Sequence, residues 1–91
     1  MSNKVSIERI GDLMAKLTPR YSVVEGTTTT VCLLQLPNGF VVGEGFSACV
    51  DPSNFNEELG RKYALENATE HAKNKLWEFE GYLLAMSLNP V

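Results

Sequence analysis

With 91 residues and a mass of 10.1 kDa, the chain has room for one small domain, and a two-domain enzyme is excluded. Its 44% hydrophobic and 21% charged residues, with a mean hydropathy of -0.09, place it among globular chains rather than disordered or collagen-like ones. Eight Lys and Arg against eleven Asp and Glu leave a net charge of -3 and a pI near 5.0, which opposes general binding to nucleic acid.

The longest apolar stretch, Val31 to Leu36, contains Gln35 and falls far short of the roughly 20 residues that span a bilayer, so no transmembrane helix is expected. Met1-Ser2-Asn3-Lys4-Val5 lacks the apolar core of a secretion signal. That points to a cytosol, with Cys32 and Cys49 as reduced thiols.

From Ser6, the residues Ile7, Ile10, Met14 and Leu17 recur at steps of three and four, with Leu13 widening the stripe. This predicts a short amphipathic helix. Thr18-Pro19 should end it, because proline restricts the residue before it and donates no backbone hydrogen bond. Tyr21, Val23 and Val24, then Gly26 and the run Thr27 to Thr30, read as strand, turn and strand. Asn38-Gly39 between apolar runs predicts a two-residue hairpin turn, both residues tolerating positive φ. That turn sets Leu36 opposite Val41, Leu34 opposite Gly43 and Cys32 opposite Gly45.

The return strand, Phe40 to Val50, carries Gly43 and Gly45, which imply a bulge or a close backbone approach. Asp51-Pro52 breaks it. Asn54 with Glu57 three residues later resembles a capping box, predicting a long helix from near Phe55. Glu57 with Arg61 and Glu58 with Lys62 are paired at four-residue spacing. Leu65, Ala68, Ala72, Leu76 and Phe79 trace the expected core stripe, and Gly81 marks the expected end. Tyr82 to Met86 reads equally as helix or as edge strand.

The fold class expected is therefore α+β: a small antiparallel sheet of about three strands, a long C-terminal helix packed on one face and a short N-terminal helix. Residues 1–19 form the N-terminal helical segment and 20–88 the α+β part of a single domain. In the predicted hairpin, Leu36, Leu34 and Cys32 share one face, and Phe40, Val42, Leu33 and Val31 the other. Both faces therefore call for burial. One helix covers one face, leaving the other to the N-terminal helix or to a second subunit, so a homo-oligomer is expected.

Few residues suggest chemistry. His71 is the only histidine, and no Cys or His stands at metal-ligand spacing around it. Cys32 and Cys49 read as buried thiols. Asp51, Ser53 and Phe55 imitate the start of a calcium loop, but Asn56 stands where glycine is needed and Lys62 where glutamate is needed. Asn67-Ala68-Thr69 matches a glycosylation sequon inside a predicted helix. Glycine-rich phosphate cradles are missing. Neither a metal, a cofactor nor an enzymatic activity is expected. Phe46, Tyr63 and Trp77 are aromatic candidates for stacking on a base, and Arg20, Arg61 and Lys62 for meeting phosphate. Phe46, Arg61 and Tyr63 form the candidate ligand set.

The blocks Gly26-Thr27-Thr28, Thr30-Val31-Cys32, Asn38-Gly39-Phe40, Ser47-Ala48-Cys49-Val50-Asp51-Pro52, Asn54-Phe55, Gly60-Arg61, Glu66-Asn67-Ala68, Lys75-Leu76-Trp77 and Glu80-Gly81-Tyr82-Leu83-Leu84 resemble a family of small tailed-phage proteins, the gene-product-forty-nine or sixty-six family. The resemblance spans Tyr21 to Leu84, about two thirds of the chain, and leaves the N-terminal helix outside. It implies a phage accessory protein acting in the bacterial host cytoplasm, and carries no catalytic residues to transfer. The layout also looks like that of the Thoeris anti-defence sponges, phage proteins that oligomerise and sequester cyclic nucleotide immune signals. This second likeness rests on size, element order and phage origin. Together they imply a non-enzymatic protein that interferes with host defence by holding a cyclic nucleotide, or alternatively by blocking a host nuclease or CRISPR effector.

Overall fold

A computed structural model of the chain describes residues 4–90; Met1 to Asn3, part of the expected N-terminal segment, and Val91 lie outside the described residues. The elements run α1 (Ile7–Ala15), β1 (Thr18–Val23), β2 (Thr29–Gln35), β3 (Val41–Ala48), a 3-10 turn (Pro52–Asn54) and α2 (Glu57–Leu88). The strands form one antiparallel sheet in the order β1-β2-β3, and the fold is the expected α+β.

Ser6 starts α1, its side chain accepting from the Arg9 N–H at 3.0 Å, which satisfies one of the helix's orphan donors. The helix ends before Thr18-Pro19, and Pro19 is accommodated on the outer strand β1, where a missing N–H costs no ladder bond. β1 and β2 join through a turn in which the Thr27 N–H donates to the Val24 carbonyl at 3.0 Å.

The second hairpin differs from the expected one at its tip. Leu36 pairs with Phe40 across three loop residues, its N–H donating to the Phe40 carbonyl at 2.9 Å, and the Gly39 N–H donates to the Leu36 carbonyl at 2.9 Å. Pro37 presets the first corner of this turn, and only Gly39 takes a positive φ, +92°. One residue further, a bulge between Leu34 and Gln35 on the β2 side leaves Val42 as an extra residue on β3. The longer loop and the bulge offset each other. Leu34 faces Gly43 and Cys32 faces Gly45 as expected, whereas Gln35, not Leu36, faces Val41. The bulge also turns Val42 inward, so that it and Gly43 are both buried, correcting its assignment to the opposite face.

The two glycines serve the close approach. A Cβ on Gly43 would lie 2.6 Å from the Ala72 Cβ, and one on Gly45 would run into the Ala64 carbonyl and the Ala68 amide. α2 therefore rests on β3 nearly backbone to backbone. Its buried positions are Ala64, Ala68, Ala72 and Leu76, at a strict spacing of four. Ala64 replaces Leu65 in the expected stripe, because only a methyl fits above the glycines. Phe79 stays more than one-third exposed and meets Phe40 edge to face, with ring centroids 5.9 Å apart. Ile10, Cys32, Leu34, Val42 and Leu76 complete the core; each large apolar side chain buried there contributes about 1.5–3 kcal/mol.

Two helix boundaries differ from expectation. The N-cap of α2 is Asn56, whose side chain accepts from the Leu59 N–H at 3.0 Å, not Asn54, which belongs to the 3-10 turn. Gly81 does not end α2. One glycine costs about 1 kcal/mol in a helix, and the helix formers Leu83, Leu84, Ala85 and Met86 carry it on to Leu88, settling Tyr82 to Met86 as helix.

At 32 residues, α2 is about 48 Å long and overruns the sheet. α1 packs against this overhang, with Arg9 Nε 2.9 Å from Glu80 Oε1 and Ile10 buried. The molecule measures 55 × 25 × 22 Å, and its radius of gyration of 16.2 Å exceeds the roughly 12 Å of a compact chain this long. α1 therefore covers α2. No described element lies over the second face of the sheet, where Val31 and Leu33 are half-buried and Phe46 is 55% exposed.

Candidate functional site

Where β3 runs out and α2 begins, the chain encloses a cleft of about 180 Å3 lined by Ser47, Cys49, Asn54, Phe55, Leu59 and Tyr63, among others. The 3-10 turn shapes one wall. The Asp51 carboxylate accepts from the Ser53 N–H at 3.0 Å and the Ser53 hydroxyl at 2.8 Å, bonds that hold its carboxyl below the ordinary carboxylate value. Pro52 fixes the first residue of that turn. Phe55 is thereby delivered in extended conformation to the cleft, with Asn56 opening α2 behind it. Beside it, the Thr28 hydroxyl donates to the Cys49 carbonyl, and the Cys49 thiol donates to the Asp51 carbonyl at 3.0 Å.

Gly60 forms part of the lining, and a Cβ there would stand 2.6 Å from the Thr30 hydroxyl oxygen. Thr30 is 1% exposed, and its hydroxyl has no hydrogen-bond partner among the described residues. Burial of such a group costs about 1–3 kcal/mol. A polar atom is thus held, at a cost, directly behind a lining residue.

All the side chains lining the cleft are uncharged: aromatic, aliphatic, amide, hydroxyl and thiol. Glu57 and Glu58 occupy the first turn of α2 and oppose an anion at that helix end. A cation stands beside the aromatic wall: the Lys62 ammonium lies 5.8 Å from the centre of the Tyr63 ring. The arrangement suits a neutral planar ring between Phe55 and Tyr63, its edges met by amide and hydroxyl groups. Pockets for whole drug-sized ligands run from about 300 Å3 upward, so this cleft accommodates one ring and leaves the rest of a larger molecule on the rim.

The three residues singled out from the sequence are not brought together. Tyr63 lines the cleft, 48% exposed. Arg61 turns toward β1, bonded to Glu57 at 2.7 Å and stacked 5.4 Å from the centre of the Tyr21 ring. Phe46 faces Val31 on the uncovered side of the sheet, while its carbonyl accepts from Asn67 Nδ2 at 2.9 Å. Trp77 packs against the core. Phe55 was missed because it follows a helix-capping pattern, which reads as structural punctuation; the local signal was an aromatic set between Asn54 and Asn56 just ahead of a helix.

The reactive groups are separated. Cys32 is fully buried, and burial pushes its thiol pKa up; burial likewise raises that of the Tyr21 phenol, with Cys32 adding and Arg61 opposing. His71 Nδ1 accepts from the Glu44 N–H at 3.0 Å and lies 3.2 Å from the Glu44 carbonyl oxygen, about two turns along α2 from Tyr63, the last cleft residue on that helix. Among the described residues no group of three His, Cys, Asp or Glu side chains is placed to hold a metal ion, and no helix is long and apolar enough to cross a membrane.

A family model described as Phage protein (N4 Gp49/phage Sf6 gene 66) family matches residues 3–88. The match begins ahead of α1, so the N-terminal helix lies within the matched span rather than outside it. No curated protein and no solved structure gives a significant match.

Proposed function

The chain belongs to this phage family, and from that premise we propose that it is a non-enzymatic, homo-oligomeric protein with which a phage interferes with host defence. It acts in the bacterial cytoplasm by sequestering a cyclic nucleotide-type signal. The observation that carries the reading is the uncharged cleft between Phe55 and Tyr63, whose size and lining fit a nucleobase. Lys62 at its edge offers the charge that a phosphate outside the cleft requires. The separation of His71 from Cys49 supports binding over turnover, since a nucleophile needs its base within hydrogen-bond reach.

Native mass spectrometry of the purified protein against a panel of cyclic mono- and dinucleotides tests the reading. Retention of one member at micromolar protein, lost in Tyr63→Ala and Phe55→Ala, is expected. A ligand-free spectrum across the panel would remove it.

A second reading, inhibition of a host nuclease or CRISPR effector, is favoured by the uncovered sheet face bearing Val31, Leu33 and Phe46 and by the net charge of -3. Affinity capture from infected cells separates the two, because a sponge retains small molecules and no stoichiometric host protein.

A further inference from the structure

The two edges of the sheet can be read amide by amide. The Val24 N–H donates to the Thr29 carbonyl at 2.9 Å. In an antiparallel ladder, hydrogen-bonded and non-bonded pairs alternate, so Ser22, Arg20 and Thr18 bond to β2 in the observed register. Pro19, Tyr21 and Val23 turn their backbone groups outward. By the same count from the Cys49 N–H, which donates to the Thr28 carbonyl at 3.4 Å, Glu44 and Phe46 point outward on β3. There α2 meets them: His71 takes the Glu44 N–H, and Asn67 bonds the Phe46 carbonyl. On β1 no described residue bonds the outward groups of Pro19, Tyr21 or Val23. Both N–H donors and three carbonyls are left as a template for another strand.

We infer that a second copy of this chain adds antiparallel along β1, with Tyr21 on the twofold axis, making a continuous six-stranded sheet. The inference rests on the homo-oligomeric reading above and supplies its interface. A twofold axis at Tyr21 lets each Tyr21 N–H donate to the other copy's Tyr21 carbonyl, and each Val23 N–H to the opposite Pro19 carbonyl. Every outward donor is satisfied, and the proline falls where its missing N–H leaves only one acceptor per copy unmet. An axis at Arg20 would set two guanidiniums face to face, which is destabilising; one at Ser22 would leave Pro19 and Arg20 outside the ladder.

Space and charge agree. α2 lies over β2 and β3, and reaches β1 through the Arg61 side chain over the Tyr21 ring. With strands about 4.8 Å apart, the two α2 axes pass about 19 Å from each other, clear of the roughly 10–12 Å a helix occupies. Arg61, which stacks on Tyr21, is paired with Glu57, and Arg20, bonded to Gln35, is set opposite Ser22 of the other copy rather than opposite its own counterpart. A strand from a different protein would need these acceptors matched without symmetry to place its donors.

Light scattering of the full chain across a concentration series tests this, alongside Val23→Pro. That change removes an outward N–H and leaves the β1–β2 ladder intact. The unchanged chain should reach twice 10.1 kDa, and Val23→Pro should weaken association by at least about tenfold with an unaltered far-UV spectrum. A mixture of Arg20→Cys and Ser22→Cys chains keeps the proposal open to refutation if the proline variant misfolds. Those residues oppose each other across the axis as a non-bonded pair, about 4.5 Å between Cα atoms, within disulfide reach. They should cross-link on oxidation, whereas Arg20→Cys alone should not. A monomer at every concentration would overturn both the oligomeric reading and this interface. An oligomer insensitive to Val23→Pro, or Ser22→Cys chains that link to themselves, would overturn the interface alone.

Discussion

Along β3 the sheet edge is partly covered by α2, where His71 accepts from the Glu44 N–H and Asn67 donates to the Phe46 carbonyl, while Gly43 and Gly45 let the helix rest on the strand. Along β1 the equivalent edge carries Pro19 and exposed side chains, and α2 reaches that strand through the Arg61 side chain. One side of the molecule is thus specified down to single methyl groups, and the other is held by one neighbouring strand and by Tyr21, packed on the core beneath Arg61. A small chain spends its tight packing on one seam. Its outer strand edge and second sheet face are left uncovered by the described elements.

Loss of the seam should have the largest effect. Gly45→Val places a branched side chain into the Ala64 carbonyl and Ala68 amide, and helix backbone cannot yield as a flexible side chain would. A loss of at least about 3 kcal/mol is expected, read from urea denaturation; a change below 1 kcal/mol would show that α2 can lift off β3 freely. Removing the cover of the β3 edge is milder. Asn67→Ala and His71→Ala should each cost about 1 kcal/mol and speed exchange of the neighbouring strand amides. On the loose side, Ser22→Ala lies on the outer strand with an exposed side chain and should stay within about 0.5 kcal/mol; a larger loss would mean that β1 is as tightly specified as β3.

The smallest effect concerns the turn between the two regions. The bonds from Ser53 hold the Asp51 carboxyl below its ordinary value of 3.8. A depressed folded value means that the stabilisation is present above the unfolded value and is lost as pH falls through the folded one. The cleft wall should therefore loosen only in acid, and Asp51→Asn should flatten that dependence in a fluorescence titration of the Trp77 and tyrosine signal.

The same comparison separates what could be read from the chain from what could not. The strands, the short N-terminal helix and the long C-terminal helix were legible because periodicity and turn residues act locally. The hairpin register came out right for most of its length only because a loop one residue longer than expected was offset by the bulge at Val42. Asn-Gly signals a turn, but Pro37 ahead of it selects a different type. The choice of Ala64 over Leu65 for the core followed from Gly43 and Gly45 on another element, a tertiary constraint with no trace in the helix's own spacing. The cleft was least legible. Of the expected ligand residues only Tyr63 lines it, since its other aromatic wall, Phe55, is positioned by Asp51 and Pro52 rather than by any motif. The expected cover for the second sheet face was open between α1 and another subunit, and α1 went to the overhang of α2.

Amide hydrogen exchange, resolved residue by residue at two protein concentrations, tests the contrast between the edges most directly. The Glu44 amide, bonded to His71, should exchange slowly at both. Tyr21 and Val23 should exchange fast in dilute protein and slowly where the dimer forms, with Ser22 protected throughout by β2. Fast exchange of Tyr21 and Val23 under conditions where the particle has twice its monomer mass would contradict the account.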